Sequence, residues 1–473
     1  MVAGRSASGD DMAGRAAKAA ALTRNVTDLP DPLEIPVMVG GEPREVVIRP
    51  PGSKSLTNRA LLLAALARGE STLRRPLLDA DDAQRMLTAI AALGARWSID
   101  QSDIRIHGVS GEWKPRDAEV RLDIGNAGTA ARFLAAAAML SPMPVVIDGD
   151  ARMRERPIGE LIDLLRQLGA TTTYLGREGC PPVRITAPMK PTSVGELHIP
   201  TTRSSQFISA LLMVSAWMPG GLAVHLHGLV TSESYIAMTV GLMRHVGVRV
   251  DVLDQGRTIV VDQVVSDLAG FEYDVEPDAS GAGYFWAAGA LCPHLRVGVP
   301  GLAGKSLQAD VGVAEILHRA GAERTTEGGV MWIKGGGIAP MDEDLSDMPD
   351  AAMTLAAVAA FADGTSRFRG VRTLRDKETD RLEAMRMELA KIGVVVRVSP
   401  DGDSITITPP ALGVDVSSTA QAVRFDTYND HRMAMSLALI GLRRPNVWIN
   451  DPACVRKTYP GFWGDFAKLH GHA

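Results

Sequence analysis

The chain repeats one pattern of polar and hydrophobic positions six times. In each repeat, a cluster of small or polar residues leads directly into an Ala-, Leu- and Met-rich segment with helical character. The clusters are Pro51–Ser55, Gly125–Thr129, Arg203–Gln206, Asp278–Gly281, Pro349–Ala352 and Tyr428–Arg432. Corresponding positions in consecutive clusters are separated by 71 to 80 residues. The pattern therefore predicts six helices that begin at related places in six similar units.

A second landmark has the same period. Each unit contains a later helical segment that ends at a glycine, and in the first five units a strand-like run follows, as in Lys391–Val396. These glycines are separated by 72 to 78 residues, and they are Gly94, Gly169, Gly247, Gly321, Gly393 and Gly471. Glycine commonly follows a helix because it adopts a left-handed conformation that a Cβ would strain. Two landmarks with one period favour a true repeat over a series of unrelated α/β units.

The repeat predicts an α/β fold built from α+β units. A unit of about 75 residues has room for two helices and three or four short strands. Such a unit cannot bury its apolar helix alone, so we expect the units to group into larger domains. Residues 1–32 precede the repeats and are rich in Ala, Gly, Ser, Arg and Asp. We predict that they form a disordered leader.

The composition argues against two classes of protein. A net charge of -5 and 5% aromatic residues are unlike a nucleic-acid-binding protein, which usually has a basic excess. No apolar run in the sequence approaches the ~20 residues that a membrane-spanning helix requires. The three cysteines, Cys180, Cys292 and Cys454, are far apart, which is typical of buried thiols in a reducing compartment. We therefore expect a cytoplasmic protein.

Two histidines raise the question of a metal site. His225 and His227 alternate within an apolar run, which places both on one face of a predicted strand. No third ligand lies nearby in the sequence, so the pattern favours an ordinary strand over a metal site. We therefore predict that the protein has no metal site.

The basic residues are concentrated near the predicted helix starts. Those beside the starts are Lys54, Arg59, Arg132, Arg203 and Arg432, and others occupy Arg152–Pro157, Arg375–Arg381 and Arg456–Lys457. A helix N-terminus attracts anions through its free N–H groups and dipole. Any one of these cations could be a solvated surface charge. As a set they indicate a site for small, multiply anionic ligands.

The clusters resemble the motifs of the enolpyruvyl transferases, and among these the EPSP synthase family. In chain order the matching segments are Pro51–Ala65, Gly125–Arg132, Arg152–Pro157, Ser204–Phe207, Asp347–Met353, Lys377–Arg381, Tyr428–Met435 and Lys457–Pro460. The resemblance implies two globular lobes, each of three βαβαββ-like units, with the active site in the cleft between them. Lobe II would be residues 52–274, and lobe I would be residues 33–51 plus 275–473.

The resemblance also implies a reaction. Members transfer the enolpyruvyl group of phosphoenolpyruvate to the 5-hydroxyl of shikimate 3-phosphate and release phosphate, in the shikimate pathway, without a metal or organic cofactor. We expect a monomer that binds these two substrates and neither nucleic acid nor membranes. The residues that resemble binders of shikimate 3-phosphate are Ser55, Arg59, Ser204, Ser205, Ser232, Tyr235, Asp350 and Lys377. Those that resemble binders of phosphoenolpyruvate are Lys54, Gly128, Arg152, Gln206, Arg381, Arg432 and Lys457.

Three residues are candidates for catalysis in this reaction. The 5-hydroxyl must lose a proton as it attacks C2 of phosphoenolpyruvate, and C3 must gain one and later return it. Asp350 is the candidate base for the hydroxyl, and Glu378 is the candidate for proton transfer at C3, with Lys54 as its partner. The cations around Glu378 favour its ionised form, whereas desolvation opposes it.

The sequence differs from the family pattern at two positions. Thr373 stands where the family often has an asparagine, and Phe133 stands where many members have a proline. Gly128 retains the small residue typical of glyphosate-sensitive members. The resemblance therefore predicts that glyphosate inhibits in competition with phosphoenolpyruvate.

Two alternatives remain at this point. A related family transfers enolpyruvate to UDP-N-acetylglucosamine, but it usually has a reactive cysteine in the loop that corresponds to Asp150–Glu155, where this sequence has none. The second alternative is a non-catalytic relative that only binds anions. Such a protein would be expected to lose the carboxylates first, and both Asp350 and Glu378 are present.

Overall fold

The strands of this protein form six small sheets. The computed structural model describes residues 17–38, 42–188, 195–202, 204–228, 230–264 and 268–471. Within these ranges five sheets have four strands and one has three. Each sheet is associated with two helices, so the predicted α/β fold of six repeated units is confirmed.

The first part of the chain contributes three of the sheets. Its elements are β1 (Leu33–Ile35), β2 (Arg44–Val47), α1 (Lys54–Leu66), β3 (Glu70–Arg74), α2 (Asp81–Ala92), β4 (Arg96–Asp100), β5 (Asp103–His107), β6 (Val120–Asp123), α3 (Gly128–Ala137), β7 (Val145–Asp148), α4 (Gly159–Gln167), β8 (Thr171–Tyr174), β9 (Val183–Thr186), β10 (Glu196–Ile199), α5 (Ser205–Ser215), β11 (Leu222–Leu226), α6 (Glu233–His245), β12 (Val250–Leu253), β13 (Thr258–Val261) and β14 (Glu272–Asp274). The sheets have the strand orders β14-β3-β5-β4, β6-β7-β9-β8 and β10-β11-β13-β12.

The second part of the chain contributes the other three sheets. Its elements are α7 (Ala279–Leu291), β15 (Leu295–Pro300), α8 (Val313–Arg319), β16 (Glu323–Glu327), β17 (Val330–Lys334), β18 (Asp342–Asp344), α9 (Ala352–Ala359), β19 (Ser366–Arg369), α10 (Arg381–Ala390), β20 (Val395–Val398), β21 (Ser404–Thr408), β22 (Val423–Phe425), α11 (His431–Arg443), β23 (Val447–Ile449) and α12 (Phe462–Lys468). The sheet orders are β2-β15-β17-β16, β18-β19-β21-β20 and β1-β23-β22.

The first helix of each unit begins where the sequence predicts it. Helices α1, α3, α5, α7 and α11 begin within their clusters, and α9 begins directly after a 3₁₀ turn at Pro349–Ala351. At three of these starts the cap side chain accepts a hydrogen bond from a backbone N–H of the first turn. The caps are Ser204, Asp278 and Asp430. Local cap chemistry therefore fixes where these helices begin.

The predicted glycine landmark is also present. All six glycines have positive φ angles, which range from 79° at Gly393 to 112° at Gly321. An L side chain at these positions would be strained because its Cβ approaches the carbonyl oxygen that follows. Each glycine therefore follows the second helix of its unit, and the first five turn the chain toward the next strand.

The buried residues form two hydrophobic cores. One extends from Leu56 to Val275 in the sequence, and the other contains Leu22, Leu33, Ile35 and Ile48 together with residues from Ala279 to Leu469. The first helices of the units are buried on nearly all sides, and α3 is buried at each of its ten residues. A helix that is apolar all round belongs inside such a core. Replacing a core leucine of this kind with alanine costs about 2–5 kcal/mol.

Two chain segments connect these cores side by side. Gly52 and Pro277 form an antiparallel bridge, the N–H of Ser53 donates to the carbonyl of Glu276 at 2.8 Å, and the N–H of Asp278 donates to that of Pro51 at 2.8 Å. A Cβ at Gly52 would collide with the carbonyl oxygen of Arg75, so the ribbon requires glycine there. Each named strand pairing stays within 52–274 or within 33–51 plus 275–473. The lobe boundaries stay a prediction, which this pairing supports.

The segment before the repeats differs in part from the predicted disordered leader. Residues 17–22 are helical, and Ala19 and Leu22 are buried because they lie three residues apart on one helix face. Lys18 pairs with Glu34 of β1 at 2.7 Å. Residues 1–16 lie outside the described residues. In the described part of the chain, every helix is too short or too polar to cross a membrane.

Candidate active site

A cavity lies where the first helices of the units converge. Residues from five of the six helix starts line it, and they come from both hydrophobic cores. The sequence-predicted residues in its wall are Lys54, Ser55, Arg59, Gly128, Ser204, Ser205, Gln206, Ser232, Tyr235, Asp350, Lys377, Glu378, Arg381 and Arg432. Seven cationic and three carboxylate side chains line this cavity, so it favours anions.

Arg381 holds three carboxylates in place. Its guanidinium donates to Asp430 at 2.7 Å, to Asp350 at 2.9 Å and to Glu378 at 2.9 Å. The side chain of Arg381 is only 1% exposed, so these are charge-assisted bonds shielded from water. Nearby carboxylates raise the pKa of Arg381 against the effect of burial. Because its donors are occupied in this way, Arg381 positions the two candidate catalytic carboxylates.

Asp350 and Glu378 are both held in the ionised form. Burial by itself would raise the pKa of Asp350, but Arg432, Lys377 and Arg381 hold it well below its usual range. Burial likewise opposes ionisation of Glu378, but Lys457, Arg381 and Arg156 hold its pKa well below normal. The cations therefore outweigh desolvation at both carboxyls.

Lys457 joins the carboxylate cluster to the other core. Its Nζ lies 3.3 Å from Glu378 and 3.6 Å from Asp82, and it donates a 2.7 Å hydrogen bond to the carbonyl of Asn126. Lys54 lies 3.5 Å from the same Asp82 carboxylate. Asp82 is 1% exposed and thus holds two predicted site lysines together. Lys457 does not appear in the cavity wall itself but contacts Glu378 from behind it.

Three guanidinium groups in the cavity wall lack a carboxylate partner within 4 Å among the described residues. Arg59 donates to Thr239 at 2.7 Å and to the Ser55 carbonyl at 2.9 Å. Arg132 donates to the Pro157 carbonyl at 2.6 Å, and burial lowers its pKa to about 9. Arg156 is the third of these groups. A buried charge without a counter-ion is costly, so these groups favour an anionic ligand.

The structure places Arg156, rather than the predicted Arg152, in the cavity wall. Arg152 donates to the carbonyl of Lys377 at 3.0 Å and pairs with Glu155 at 3.0 Å, and its side chain is 33% exposed. The 3₁₀ turn at Met153–Glu155 separates the two arginines and directs them differently. Arg156 is 6% exposed and donates to Asn126 at 2.9 Å. Its guanidinium lies beside Gly128, where a Cβ would collide with it.

The predicted serines lie together on one side of the cavity. Ser204 caps α5 and Ser205 begins it, so both hydroxyls and the positive end of that helix dipole lie at the cavity wall. Ser232 precedes α6 with a φ of 57°, a left-handed conformation unusual for serine. Burial raises the pKa of the nearby Tyr235, which keeps its hydroxyl protonated. Arg203, which the sequence places at this helix start, lies outside the described residues.

Several residues of the site were not selected from the sequence. Arg132 and Arg156 belong to recognised basic clusters but were not assigned to the site, and Thr373, left out for differing from the family, lines the cavity. Asp82 carried no sequence signal because it lies in the first turn of an ordinary amphipathic helix. Phe133 is fully buried beneath Arg59, whose Cζ lies 5.1 Å from the ring centroid.

Direct contacts close the cavity from both cores. The backbone N–H of Lys54 donates to the cap carboxylate of Asp278 at 3.0 Å. Ser234 donates to Asp347 through its backbone N–H at 3.2 Å and through its hydroxyl to the carbonyl of the same residue at 2.5 Å. The two halves of the wall are therefore in contact in this structure.

The converging helix starts, the cation-rich cavity and the paired carboxylates suit an enzyme that acts on small phosphorylated acids. The family model described as EPSP synthase (3-phosphoshikimate 1-carboxyvinyltransferase) matches residues 40–466. The chain belongs to the EPSP synthase family.

Individual relatives agree with this assignment. The chain is 42% identical over 447 residues to 3-phosphoshikimate 1-carboxyvinyltransferase of Shewanella baltica, with 93% of this chain and 99% of the relative covered. It is 42% identical over 421 residues to the enzyme of the same name from Cronobacter sakazakii, with 89% and 95% covered. A solved EPSP synthase from Acinetobacter baumannii superposes with a TM-score of 0.72 at 25% identity, covering 91% of this chain and 97% of that structure.

Proposed function

We propose that this chain transfers the enolpyruvyl group of phosphoenolpyruvate to the 5-hydroxyl of shikimate 3-phosphate and releases phosphate. The observation that carries the proposal is the set of three guanidinium groups without carboxylate partners, Arg59, Arg132 and Arg156, in the wall that also contains Asp350 and Glu378. The cations can neutralise two phosphorylated acids, and the carboxylates can move protons. Family membership supports the same reaction.

Shikimate 3-phosphate is assigned to the side of the cavity that carries the serines. The hydroxyls of Ser204, Ser205 and Ser232 and the start of α5 would receive its phosphate. Arg59 is held by buried hydrogen bonds and so is preorganised for the same ligand, with Ser55, Tyr235 and Lys377 around the ring. Asp350 would accept a hydrogen bond from the 5-hydroxyl.

Phosphoenolpyruvate is assigned to the side that carries Gly128 and Arg156. Gly128 leaves room beside the guanidinium of Arg156, because a Cβ there would collide with it. Lys54, Gln206 and Arg432 complete this part of the wall, with Lys457 behind it. Arg156 takes the role that the sequence assigned to Arg152. A bidentate guanidinium matches a carboxylate or a phosphate.

The proposed chemistry is an addition followed by an elimination. Asp350 accepts the proton of the 5-hydroxyl as the hydroxyl oxygen bonds to C2, while the ammonium group of Lys54 donates a proton to C3, which becomes a methyl group, and the ionised Glu378 accepts a proton back from C3 in the elimination. The tetrahedral adduct then loses a proton from C3 and expels phosphate, which restores the C2–C3 double bond. Arg432, Arg156 and Lys457 would stabilise the negative charge and orient the reactants.

The low pKa of Asp350 suits a base that is activated by substrate binding. Without ligand, Arg432 at 3.1 Å and Lys377 at 3.6 Å favour its ionised form and make it a weak base. Anionic substrates share those cations, which reduces their effect on Asp350 and raises its pKa toward a value useful for proton abstraction. The Asp350 carboxylate thereby becomes a stronger base only when both substrates are bound.

The proposal also includes a cellular location and an oligomeric state. Cys180, Cys292 and Cys454 are free and buried, which supports the predicted cytoplasmic location. A monomer that acts without nucleic acid, membrane, metal or organic cofactor stays a prediction. Size-exclusion chromatography with light scattering, at several protein concentrations, tests the monomer.

The reaction is tested by a coupled assay of phosphate release with untagged protein. We expect release that requires both phosphoenolpyruvate and shikimate 3-phosphate, with one phosphate formed per enolpyruvyl ether detected by mass spectrometry. UDP-N-acetylglucosamine in place of shikimate 3-phosphate should give none. Release with the UDP-sugar, or tight binding of both anions without turnover, would overturn the proposal in favour of one of the two alternatives.

A further inference from the structure

A cluster of histidines lies on the outer face of one sheet, away from the cavity. In the sheet that contains β10 and β11, Leu197, Ile199, Val224 and Leu226 face the core. The alternate positions face outward, and these are Glu196, His198, His225 and His227. Because β10 and β11 are parallel with His198 opposite His225, the sheet brings together residues that are 27 to 31 positions apart. None of the four lines the cavity.

Three side chains of this face converge on one point. The Oε2 atom of Glu196 lies 3.9 Å from Nε2 of His198 and 3.9 Å from Nε2 of His225. The ligand atoms of these three residues all lie within 4.8 Å of one another. Ligands at the ends of Zn–N and Zn–O bonds in a tetrahedral site are roughly 3.3–3.5 Å apart. Small movements of exposed side chains would therefore close the set around an ion.

The hydrogen bonds around His225 leave its Nε2 lone pair free. Thr258 donates its hydroxyl hydrogen to Asp254 at 2.8 Å, and its oxygen lies 3.2 Å from Nδ1 of His225. Because that hydroxyl hydrogen is already used, neutral His225 must carry its proton on Nδ1 and donate it to Thr258. Its Nε2 is buried and finds no hydrogen-bond partner among the described residues. An unprotonated nitrogen thus faces a carboxylate.

We propose that Glu196, His198 and His225 form a binding site for a divalent transition metal ion of the Zn²⁺ class. A cation between the nitrogen of His225 and the carboxylate of Glu196 removes the repulsion between their lone pairs. Imidazole and carboxylate ligands suit Zn²⁺, and three protein ligands leave a fourth position for water. The sequence prediction of no metal site rested on the absence of a third ligand near His225, and β10 supplies it.

The hydrogen bonds behind the ligands also fit a metal site. His198 Nδ1 lies 2.7 Å from Nε2 of His227, so it can donate its proton there and present Nε2 to the ion. Each ligand histidine thereby has its other nitrogen held by a neighbour, as is usual for metal-bound imidazoles. The rings of His198 and His225 are stacked 4.7 Å apart, so binding requires the ring of His198 to tilt. Its side chain is 60% exposed and free to do so.

The metal would join two strands that lead to the serine side of the cavity. Strand β10 ends at Ile199, shortly before Ser204, and β11 ends at Leu226, shortly before Ser232. A bond between His198 and His225 through an ion would lock the register of these two strands. We therefore expect the ion to stabilise lobe II without entering the reaction.

The site is tested by titrating untagged, metal-free protein with Zn²⁺ at pH 7.5 against a chromophoric chelator. We expect one tight equivalent per chain, and a Co²⁺ titration should give the visible absorption of a four-coordinate ion. Glu196→Gln and His198→Ala should each weaken binding about 10-fold or more, since each removes a ligand. Thr258→Val should weaken it about 10- to 100-fold by releasing the ring of His225. Zn²⁺ should also raise the Tm of the wild type but not of the Glu196→Gln/His198→Ala double variant.

His107→Ala is the matched control, since His107 is an exposed strand histidine of another sheet. It should bind Zn²⁺ like the wild type. Phosphate release by each variant shows that it is folded, because its changed residue lies outside the cavity. Equal Zn²⁺ affinity in the wild type and the Glu196→Gln/His198→Ala double variant would overturn the proposal, whether or not the enzyme assay succeeds.

Discussion

Arg156 donates a hydrogen bond of 2.9 Å to the side-chain oxygen of Asn126, and this bond holds its guanidinium against Gly128. The same Asn126 accepts a 2.7 Å hydrogen bond from Lys457 through its backbone carbonyl. One residue just before α3 therefore positions two cations that come from distant parts of the chain.

Arg156→Ala should raise the KM for phosphoenolpyruvate about 10- to 100-fold, the equivalent of one hydrogen bond to a charged group. Arg152→Ala should have a smaller effect, because Arg152 contacts Glu155 and the Lys377 carbonyl rather than the cavity. Arg154→Ala is the control, since Arg154 pairs with Asp148 on the surface. Steady-state kinetics compare the three variants. A larger effect of Arg152→Ala than of Arg156→Ala would support the sequence-based assignment of Arg152 to phosphoenolpyruvate.

Gly128→Ala should weaken both phosphoenolpyruvate and glyphosate while leaving the Tm nearly unchanged. The new Cβ would lie 2.8 Å from Cζ of Arg156, so the guanidinium must move, and the end of a long side chain moves at little cost in stability. We expect glyphosate to compete with phosphoenolpyruvate in the wild type and its inhibition constant to rise in the variant. Gly464→Ala is a control, because a Cβ there meets nothing within 4 Å. Non-competitive inhibition of the wild type would contradict this placement.

Asp350→Asn should lower kcat about 10²- to 10⁴-fold, the usual contribution of a general base. Binding of shikimate 3-phosphate, measured by calorimetry, should persist because its phosphate contacts involve other residues. Asp376→Asn is the matched control, since Asp376 also lines the cavity but lies on its exposed edge. If Asp350→Asn retained turnover, a group other than Asp350 would have to be the base.

Arg381→Met should destabilise the fold by about 3–5 kcal/mol, because it leaves the buried carboxylate of Asp430 without its guanidinium partner and removes one cation from Asp350 and from Glu378. Arg386→Ala, on the same helix, removes an exposed pair with Glu383 and should cost only about 0–1 kcal/mol. Urea denaturation followed by circular dichroism measures both. Similar losses for the two variants would show that Arg381 contributes little to stability.

The stability of the unliganded protein should fall in acid. The pKa values of Asp350 and Glu378 are lower in the folded chain than the roughly 4 of an unfolded carboxyl. The unfolded state therefore binds more protons, and the stabilisation is complete above that unfolded value. It is lost as the pH falls through the folded pKa values. The contribution of these two carboxyls to the urea midpoint should stay level from pH 7 to about 5 and fall below about 4. A smaller fall in Asp350→Asn would assign part of the effect to that carboxyl.

Local signals predicted most of the fold. The six helix starts and six terminal glycines are encoded by residues that act within one turn, such as the cap of Asp278 on Gly281. Their period could therefore be found without knowledge of long-range contacts. The pairing of β1 with β23, which completes the smallest sheet, carries no such signal. Its partners are separated by more than four hundred residues in the sequence.

The site was predictable where a residue belongs to a repeated helix start, and not elsewhere. Arg152 and Arg156 lie four positions apart in one loop, and only the 3₁₀ turn between them decides which one faces the cavity. Asp82 pairs with its two lysines because it is buried, and residues distant in the sequence determine that burial. Glu196 and His198 became neighbours of His225 through the register of two parallel strands, which no local pattern specifies.

Residues 52–274 enter and leave the rest of the chain through one hydrogen-bonded ribbon at Gly52 and Pro277. In topological terms residues 52–274 are an insertion into the rest of the chain, and the two ends of the insertion lie next to each other. A short peptide linker could therefore replace the insertion and join the flanking chain. The inserted segment could be produced as one continuous fragment. Because the two segments of this ribbon are adjacent, they would restrict any relative motion of the two hydrophobic cores to rotation about nearly one axis.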